Sequence, residues 1–151
     1  MQHFVVGFAF NADAKQVALI RKKRPSWQAG RLNGIGGKIE AGEEPIDAMV
    51  REFYEETGVQ SEPKQWQTCA VLGSKPDAQT QWHMHVYSLR GLDLQRLKST
   101  TDEQIELHDV GAPVIAAEGI SNLAWLIPLA LDVDLARLEV RALYDDMPST
   151  N

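Results

Sequence analysis

Hydrophobic positions along the chain fall into short runs that predict β-strands on both sides of one amphipathic helix. Apolar and β-branched residues fill these runs, and turn-forming residues such as Asn, Asp, Gly and Pro separate them. The predicted strands span residues 3–10, 16–21, 66–72, 81–89 and 104–108. The third and fourth strands are expected to form a hairpin, because Lys, Pro and Asp at residues 75–77 favour a turn.

Residues 45–57 have the spacing of an amphipathic helix. Pro45 suits the first helical position, because its ring fixes φ and its missing N–H would have no partner there. Gly58 suits the left-handed conformation that often ends a helix. At about 100° per residue, four apolar residues form a stripe that must face a core. They are Ile46, Met49, Val50 and Phe53.

A second helix is predicted near the C-terminus, at residues 122–131. Ser121 is its predicted cap, and Pro128 is expected to kink it. Residues 111–116 have no regular pattern and are expected to be irregular.

The helix at 45–57 also carries three glutamates away from its apolar stripe. Glu52, Glu55 and Glu56 lie three and four residues apart, so their carboxylates are neighbours that repel one another. A solvated acidic face is the ordinary explanation of such a pattern. A metal site is the alternative, because Mg2+ and Mn2+ prefer carboxylate oxygens. The adjacent Arg51 could form a two-pronged ion pair with a loop carboxylate such as Glu43.

Length and composition predict one domain over residues 1–151, since 44% of the chain is hydrophobic and no linker interrupts it. We expect no membrane partner, because there is no secretory signal and no apolar run approaches the roughly 18 residues of a membrane span. A single cysteine, Cys69, fits a reducing cytoplasm. The net charge of −6 argues against binding a nucleic acid polymer and implies that metal ions bridge the protein to a phosphorylated substrate.

Three other features could carry chemistry. Lys23 and Arg24 end a basic run after the second strand, and either could meet a substrate phosphate or be a solvated strand end. Asn33 precedes a glycine-rich stretch that must let the backbone approach something closely, although Asn is also a common turn residue. His83 and His85 share a strand face, yet a third nitrogen or sulfur ligand for a transition metal is not evident.

The spacing over residues 37–59 resembles the signature of the Nudix hydrolase family. That signature is G, five residues, E, seven residues, REU, one residue, EE, one residue, GU, where U is bulky and apolar. Every required position is met, by Gly37, Glu43, Arg51, Glu52, Phe53, Glu55, Glu56, Gly58 and Val59. Residues 29–43 and 82–88 also resemble the MutT-type 8-oxo-purine nucleoside triphosphatases within this family.

The resemblance implies an α/β/α sandwich around a mixed β-sheet, which the predicted order of strands and helices allows. It further implies that water attacks a phosphorus of a nucleoside diphosphate linked to another group. Mg2+, or Mn2+, would be held by Glu52, Glu55, Glu56 and the Gly36 carbonyl. The proton would pass to Glu52, Glu56 or Glu103, and Arg51 and Glu43 would keep the loop and helix in register.

In MutT-type enzymes an Asn at the position of Asn33 touches the base. Their pair of base-reading aspartates falls on Asn122 and Leu123 if Pro128 is matched to the proline of their final helix. Leu123 cannot hydrogen-bond a base, whereas Asn122 can donate and accept. An oxidised purine nucleoside triphosphate, giving a monophosphate and pyrophosphate, is therefore the leading substrate.

The sequence leaves two alternative functions open. ADP-ribose or a nucleotide sugar is one, since such enzymes often carry a proline near the position of Pro76. A non-catalytic nucleotide-binding module is the other, although such proteins usually lose signature carboxylates that are intact here. The sequence makes no prediction of oligomeric state.

Overall fold

One mixed sheet links the N-terminal, central and C-terminal parts of the chain. The computed structural model describes residues 1–145, and within that range eight strands join into this sheet. The end of the predicted domain, residues 146–151, lies outside the described residues. The strands are Gln2–Phe10 (β1), Gln16–Arg21 (β2), Leu32–Asn33 (β3), Ile35–Lys38 (β4), Trp66–Ser74 (β5), Trp82–Leu89 (β6), Gln104–Asp109 (β7) and Arg141–Tyr144 (β8).

The strand order is β3-β2-β1-β6-β5-β8, with β4 paired to β1 and β7 paired to β2. Strands β1 and β6 run parallel, in a register that joins Gln2 to Trp82 and Ala9 to Leu89. The final strand β8 is also parallel to its neighbour β5, and the other pairs are antiparallel. The predicted hairpin of β5 and β6 is therefore confirmed.

The central strand β1 is buried on both faces because its side chains alternate between two apolar clusters. Val5 and Ala9 belong to the cluster on one face, and Phe8 and Phe10 belong to the cluster on the other. This double burial explains the nearly continuous apolar run that the sequence shows at residues 3–10.

On one face of the sheet lies α1, whose bounds Pro45–Thr57 match the prediction. Its apolar stripe buries Met49 and Phe53 completely, and the ring of Phe53 meets Trp66 edge-on at 5.2 Å between centroids. Burying a side chain of this size stabilises the fold by about 2–3 kcal/mol. Gly58 ends the helix with a φ of 74°, which most side chains disfavour.

On the opposite face lie Pro113–Glu118 (α2) and Leu123–Ala130 (α3). The apolar side of α3 buries Leu123, Leu126, Ile127 and Ala130 against the second cluster. Helices thus cover both faces, and the expected α/β/α sandwich around a mixed sheet is confirmed. None of the helices found in residues 1–145 is long and apolar enough to cross a membrane.

Some local predictions were wrong, each where tertiary contacts override local pattern. Residues 113–116 are helical rather than irregular, because Pro113 starts a short helix that buries Ile115 in the core. Asn122, not Ser121, occupies the cap position of α3, and it makes no capping hydrogen bond. The strands β3, β4 and β8 were not predicted, because each is too short to show a strand pattern in the sequence. Each is defined by its pairing with a longer strand.

The glycines of β4 let its backbone pack closely against β1 and α1. A Cβ on Gly36 would overlap the carbonyl oxygen of Val5 on the neighbouring strand. A Cβ on Gly37 would lie 2.5 Å from the carboxylate oxygen Oε1 of Glu52 on α1. These close approaches hold β4 between β1 and the carboxylate side of α1.

We expect the substitution Gly36→Ala to lower the free energy of unfolding by about 3 kcal/mol or more, because the added methyl group must displace backbone atoms. Chemical denaturation followed by circular dichroism measures this change. Gly111→Ala is the matched control, since a Cβ at Gly111 meets no atom within 4 Å. Equal stabilities for the two variants would contradict the close packing of β4.

Candidate active site

Arg51 is the centre of a charge network that joins α1 to the loop before it. Its Nε and Nη2 atoms donate to the two carboxylate oxygens of Glu43 at 2.8 and 2.9 Å, and Nη2 also donates to the carbonyl oxygen of Lys38 at 3.0 Å. The Nη1 atom donates to Glu52 at 2.9 Å and to Glu55 at 3.3 and 3.4 Å. The predicted two-pronged pair of Arg51 with Glu43 is therefore present.

The network changes the ionisation of Glu43. Its hydrogen bonds from Arg51 lower the pKa of Glu43 from 4.5 to about 2, and the backbone N–H of Glu40 contributes in the same direction. The carboxylate consequently stays charged and fixes the loop of residues 39–44 against the first turns of α1.

Glu52 and Glu56 are half-buried carboxylates whose loss of hydration is only partly compensated by hydrogen bonds and positive charges. Burial raises the pKa of Glu52, against the opposing effect of Arg51, and repulsion from Glu55 and Glu56 adds to the rise. Burial likewise raises the pKa of Glu56, although Thr101 donates to its Oε2 at 3.0 Å and the charge of Lys22 lowers the pKa. The helix therefore carries negative charge that a cation would stabilise.

The donors fit a hard divalent cation, because carboxylate and backbone carbonyl oxygens are what Mg2+ prefers. In the part of the chain that the structure describes, however, no three His, Cys, Asp or Glu side chains form a group that could hold a metal ion. Arg51 holds Glu52 and Glu55, and Thr101 holds Glu56. Metal binding would therefore require these carboxylates to exchange their present partners for the cation.

Glu103 lies in the loop before β7 and is almost completely buried. It accepts hydrogen bonds from Lys22 Nζ at 3.0 Å, from the backbone N–H of Lys23 at 2.6 Å and from that of Arg24 at 3.4 Å. Burial would raise the pKa of Glu103, but these hydrogen bonds outweigh it and the pKa is lowered. The carboxylate ties the end of β2 to this loop, and its role as base stays a prediction.

Within the basic run, the structure distinguishes three neighbours that the sequence did not. The Lys23 side chain is exposed, and its contact with a phosphate stays a prediction. Arg24 pairs with Asp102 and lines a cavity. Lys22, which sequence reasoning missed, is the one of the three whose side-chain ammonium lies near both Glu103 and Glu56. Strand alternation from the buried Ile20 could have shown that Lys22 points to the α1 face.

A cavity of 550 Å³ is lined by three of the predicted substrate-binding residues, Arg24, Asn33 and Asn122. Asn33 donates from Nδ2 to Gln28 at 2.9 Å and accepts from the Gly34 N–H at 2.7 Å. The remaining walls are mostly apolar or aromatic, and sequence reasoning did not identify them. They include Phe4, Pro25, Trp27, Trp82, Met84 and Ile120.

A smaller cavity of 160 Å³ continues from the larger one toward α1. The two share six wall residues, namely Phe4, Pro25, Gln28, Asn33, Lys38 and Met84. The smaller cavity adds Lys22, Gly36 and Gly37. A continuous depression thus runs from Asn122 to the glycine backbone beneath Glu52.

A third cavity, of 650 Å³, is lined by His3, His83 and His85 together with the loop before α1. The rings of His3 and His83 meet edge-on at 5.7 Å, because their strands are parallel neighbours in register. Burial and the nearby His83 and His3 lower the pKa of His85. The third histidine comes from β1, but the three rings do not form a metal group.

A sequence model of the NUDIX domain matches residues 1–125. Among solved structures, MutT from Aliivibrio salmonicida and Vibrio cholerae is 23% identical, with a TM-score of 0.63 over 85% of this chain and 96% of that one. The NUDIX domain of Shewanella oneidensis NrtR, solved with ADP ribose, is 16% identical, with a TM-score of 0.68 over 85% and 84%.

A MutT/nudix family protein from Enterococcus faecalis is 21% identical, with a TM-score of 0.61 over 72% of this chain. The match spans only 43% of the length of that protein. At these identities the three structures establish the fold that they share with this chain.

We expect Glu43→Gln to destabilise the protein by about 1–2 kcal/mol above pH 4.5, where Glu43 is ionised and paired with Arg51. The folded pKa is depressed, so this stabilisation falls as pH drops below 4.5 and vanishes near pH 2. Unfolding free energies of wild type and variant across this range measure it. Glu139→Gln, whose carboxylate is exposed, is the control, and a pH-independent difference for Glu43→Gln would contradict the assignment.

Proposed function

The chain belongs to the Nudix hydrolase family, and we propose that this pyrophosphohydrolase cleaves a nucleoside triphosphate into a monophosphate and pyrophosphate. An oxidised purine nucleotide is the leading substrate. The observation that carries the proposal is the continuous depression between Asn122 and the glycines beneath Glu52. A ligand with a flat base at one end and phosphates at the other matches its two halves.

The larger cavity suits a base. Apolar and aromatic walls bury a flat heterocycle, and a few amide groups fix its orientation, as is typical of small-molecule sites. Trp27 and Trp82 supply aromatic surface, while Asn33 and Asn122 supply donors and acceptors. Oxidation of a purine changes its pattern of donors and acceptors, which amide side chains can read.

The smaller cavity suits the phosphates. Its walls include the ammonium-bearing side chains of Lys22 and Lys38 and the backbone of Gly36 and Gly37. Arg24, which lines the larger cavity, and the exposed Lys23 are further candidates for phosphate contact. Because the whole chain carries a net charge of −6, these local cations reduce repulsion of an anionic substrate.

Nudix hydrolases generally use divalent metal ions, and we propose Mg2+ for this chain, with Mn2+ as a substitute. Glu52, Glu55 and Glu56 and the carbonyl of Gly36 would hold it. When bound, the metal supplies charge neutralisation at the phosphates and lowers the pKa of the attacking water. The half-buried, mutually repelling carboxylates of α1 support this ligand set.

In the proposed reaction the oxygen of a water molecule bonds to a phosphorus of the pyrophosphate, and the bond from that phosphorus to the bridging oxygen breaks. The water proton passes to a carboxylate, for which Glu52, Glu56 and Glu103 are the candidates. Thr101 links two of them, since its hydroxyl donates to Glu56 and accepts from the Glu103 N–H. Arg51 and Glu43 keep the loop and α1 in register.

A second candidate substrate is ADP-ribose or a nucleotide sugar. The third cavity favours it, because this cavity shares Gln2 and Lys38 with the base cavity and offers 650 Å³ for a second moiety. The ADP ribose bound to the NUDIX domain of NrtR also motivates the candidate.

We also propose that residues 1–151 form one domain located in the cytoplasm. Strand β8 lies beyond the family match at residue 125 yet extends the same sheet, which supports a single domain. Cys69 is a buried thiol and the chain has no second cysteine, which supports a reducing compartment.

Release of phosphate and pyrophosphate with Mg2+ tests the substrate proposal. The panel contains the natural dNTPs, 8-oxo-dGTP, ADP-ribose, NADH and nucleotide sugars. We expect pyrophosphate release with the highest kcat/KM for 8-oxo-dGTP, because the amide-lined cavity reads the altered base. A higher kcat/KM for ADP-ribose or a sugar nucleotide would contradict the proposal and favour the second candidate.

We expect Glu56→Gln to lower kcat by about 10²–10⁴-fold and to weaken Mn2+ binding measured by electron paramagnetic resonance. The metal-free unfolding temperature should hold or rise, because the amide removes a half-buried charge. Glu44→Gln, on the exposed cap of the same helix, is the control that keeps both properties. Wild-type turnover in Glu56→Gln would refute the role of this carboxylate.

A further inference from the structure

Arg21, at the end of β2, binds three separate segments of the chain. Its Nε and Nη2 atoms donate to the two carboxylate oxygens of Glu106 in β7, at 2.7 and 2.9 Å. Its Nη1 atom donates to Glu118, the last residue of α2, at 2.8 Å and to the carbonyl oxygen of Gly30 at 3.1 Å. One partly buried guanidinium thus joins β7, α2 and the loop before β3.

The side chain of Arg21 points to the face of the sheet that carries α2 and α3. Leu19 belongs to the apolar cluster on this face, whereas Ile20 belongs to the cluster on the α1 face. Side chains alternate along a strand, so Arg21 shares the face of Leu19. The sheet therefore separates Arg21 from the carboxylates of α1.

Two of the segments that Arg21 joins supply walls of the larger cavity. The loop before β3 and the stretch after α2 contribute five of its wall residues, namely Pro25, Trp27, Gln28, Ile120 and Asn122. The backbones of the two segments also meet beside Arg21. Leu32, which is in register with Arg21, accepts the N–H of Ile120 at 3.0 Å. Arg21 consequently lies where these two parts of the cavity wall come together.

The geometry of these ion pairs matters more than their strength. Ion pairs at this degree of exposure contribute little to stability, because water screens the charges. A guanidinium, however, is a planar fork whose donors point in fixed directions, so it fixes the positions of its partners relative to one another. The fork on Glu106 anchors Arg21 to the sheet, and the Nη1 atom then holds both the end of α2 and the loop.

We propose that Arg21 is a positioning residue that holds the loop before β3 and the stretch after α2 at the spacing that fits the base of the nucleotide. The proposal rests on the proposed function and deepens it, because it names a residue that acts on the base through these two segments. Without the fork the segments shift, and the base loses contact with their apolar and aromatic side chains. The carboxylates of α1 lie on the other side of the sheet and keep their arrangement.

The variant Arg21→Lys keeps the positive charge and removes the fork. Isothermal titration calorimetry with GMP and with ribose 5-phosphate separates the contribution of the base from that of the phosphate, without turnover. We expect wild type to bind GMP more tightly than ribose 5-phosphate, and Arg21→Lys to reduce this ratio about tenfold, a typical coupling within a hydrogen-bonded network. For the proposed triphosphate substrate, KM should rise while kcat stays the same.

A second variant and a control separate positioning from general packing. Glu118→Ala removes the contact with α2 from the other side, and its carboxylate is exposed enough for the fold to tolerate the change. It should reduce the same ratio, and the double variant with Arg21→Lys should show little further reduction. Glu139→Ala, which removes one carboxylate from the exposed ion pair with Arg141, is the control that should leave the ratio unchanged.

An unchanged ratio in both Arg21→Lys and Glu118→Ala would overturn the inference, as would a wild type that binds ribose 5-phosphate as tightly as GMP. A lower unfolding temperature with equal weakening of both ligands would show a purely structural role and also contradict it. If wild type hydrolyses none of the triphosphates, the proposed function fails. The binding ratio still decides the role of Arg21 in that case, because it requires no catalysis.

Discussion

The close packing of the β4 backbone between β1 and α1 is the constraint on which the rest of the site depends. A Cβ at Gly36 would overlap the backbone carbonyl of Val5, and a Cβ at Gly37 would displace the carboxylate of Glu52. This packing places the backbone of Gly37 against the Glu52 carboxylate, and Arg51 reaches the carbonyl of Lys38. A bulkier β4 would separate the loop from the helix and break the charge network.

Acidic side chains are concentrated on one face of α1. Three glutamates share one helix face, and Arg51 binds two of them while also holding Glu43. Glu56 receives only a hydroxyl and the field of Lys22, so its burial is incompletely compensated. Such a face would be unfavourable as plain protein surface, whereas it suits a protein that binds a divalent cation.

The carboxylate cluster and the larger cavity are supplied by different parts of the chain. The carboxylates come from α1 and the loop before β7. The larger cavity is built from β1, β6, the loop before β3 and the residues just before α3. This separation means that the family signature, which is confined to residues 37–59, covers the carboxylates of α1 but little of the cavity lining.

The sequence by itself determined the features that depend on local spacing. The bounds of α1, its buried stripe and the pairing of Arg51 with Glu43 follow from helical periodicity and from the fixed separations within the signature. Only the tertiary structure decided which neighbours meet across strands. It placed the side chain of Lys22, rather than that of Lys23, beside Glu103, and it set Tyr144 against Trp82. The physical reason is that sheet register and helix docking join residues far apart in the chain, and local patterns do not encode those distances.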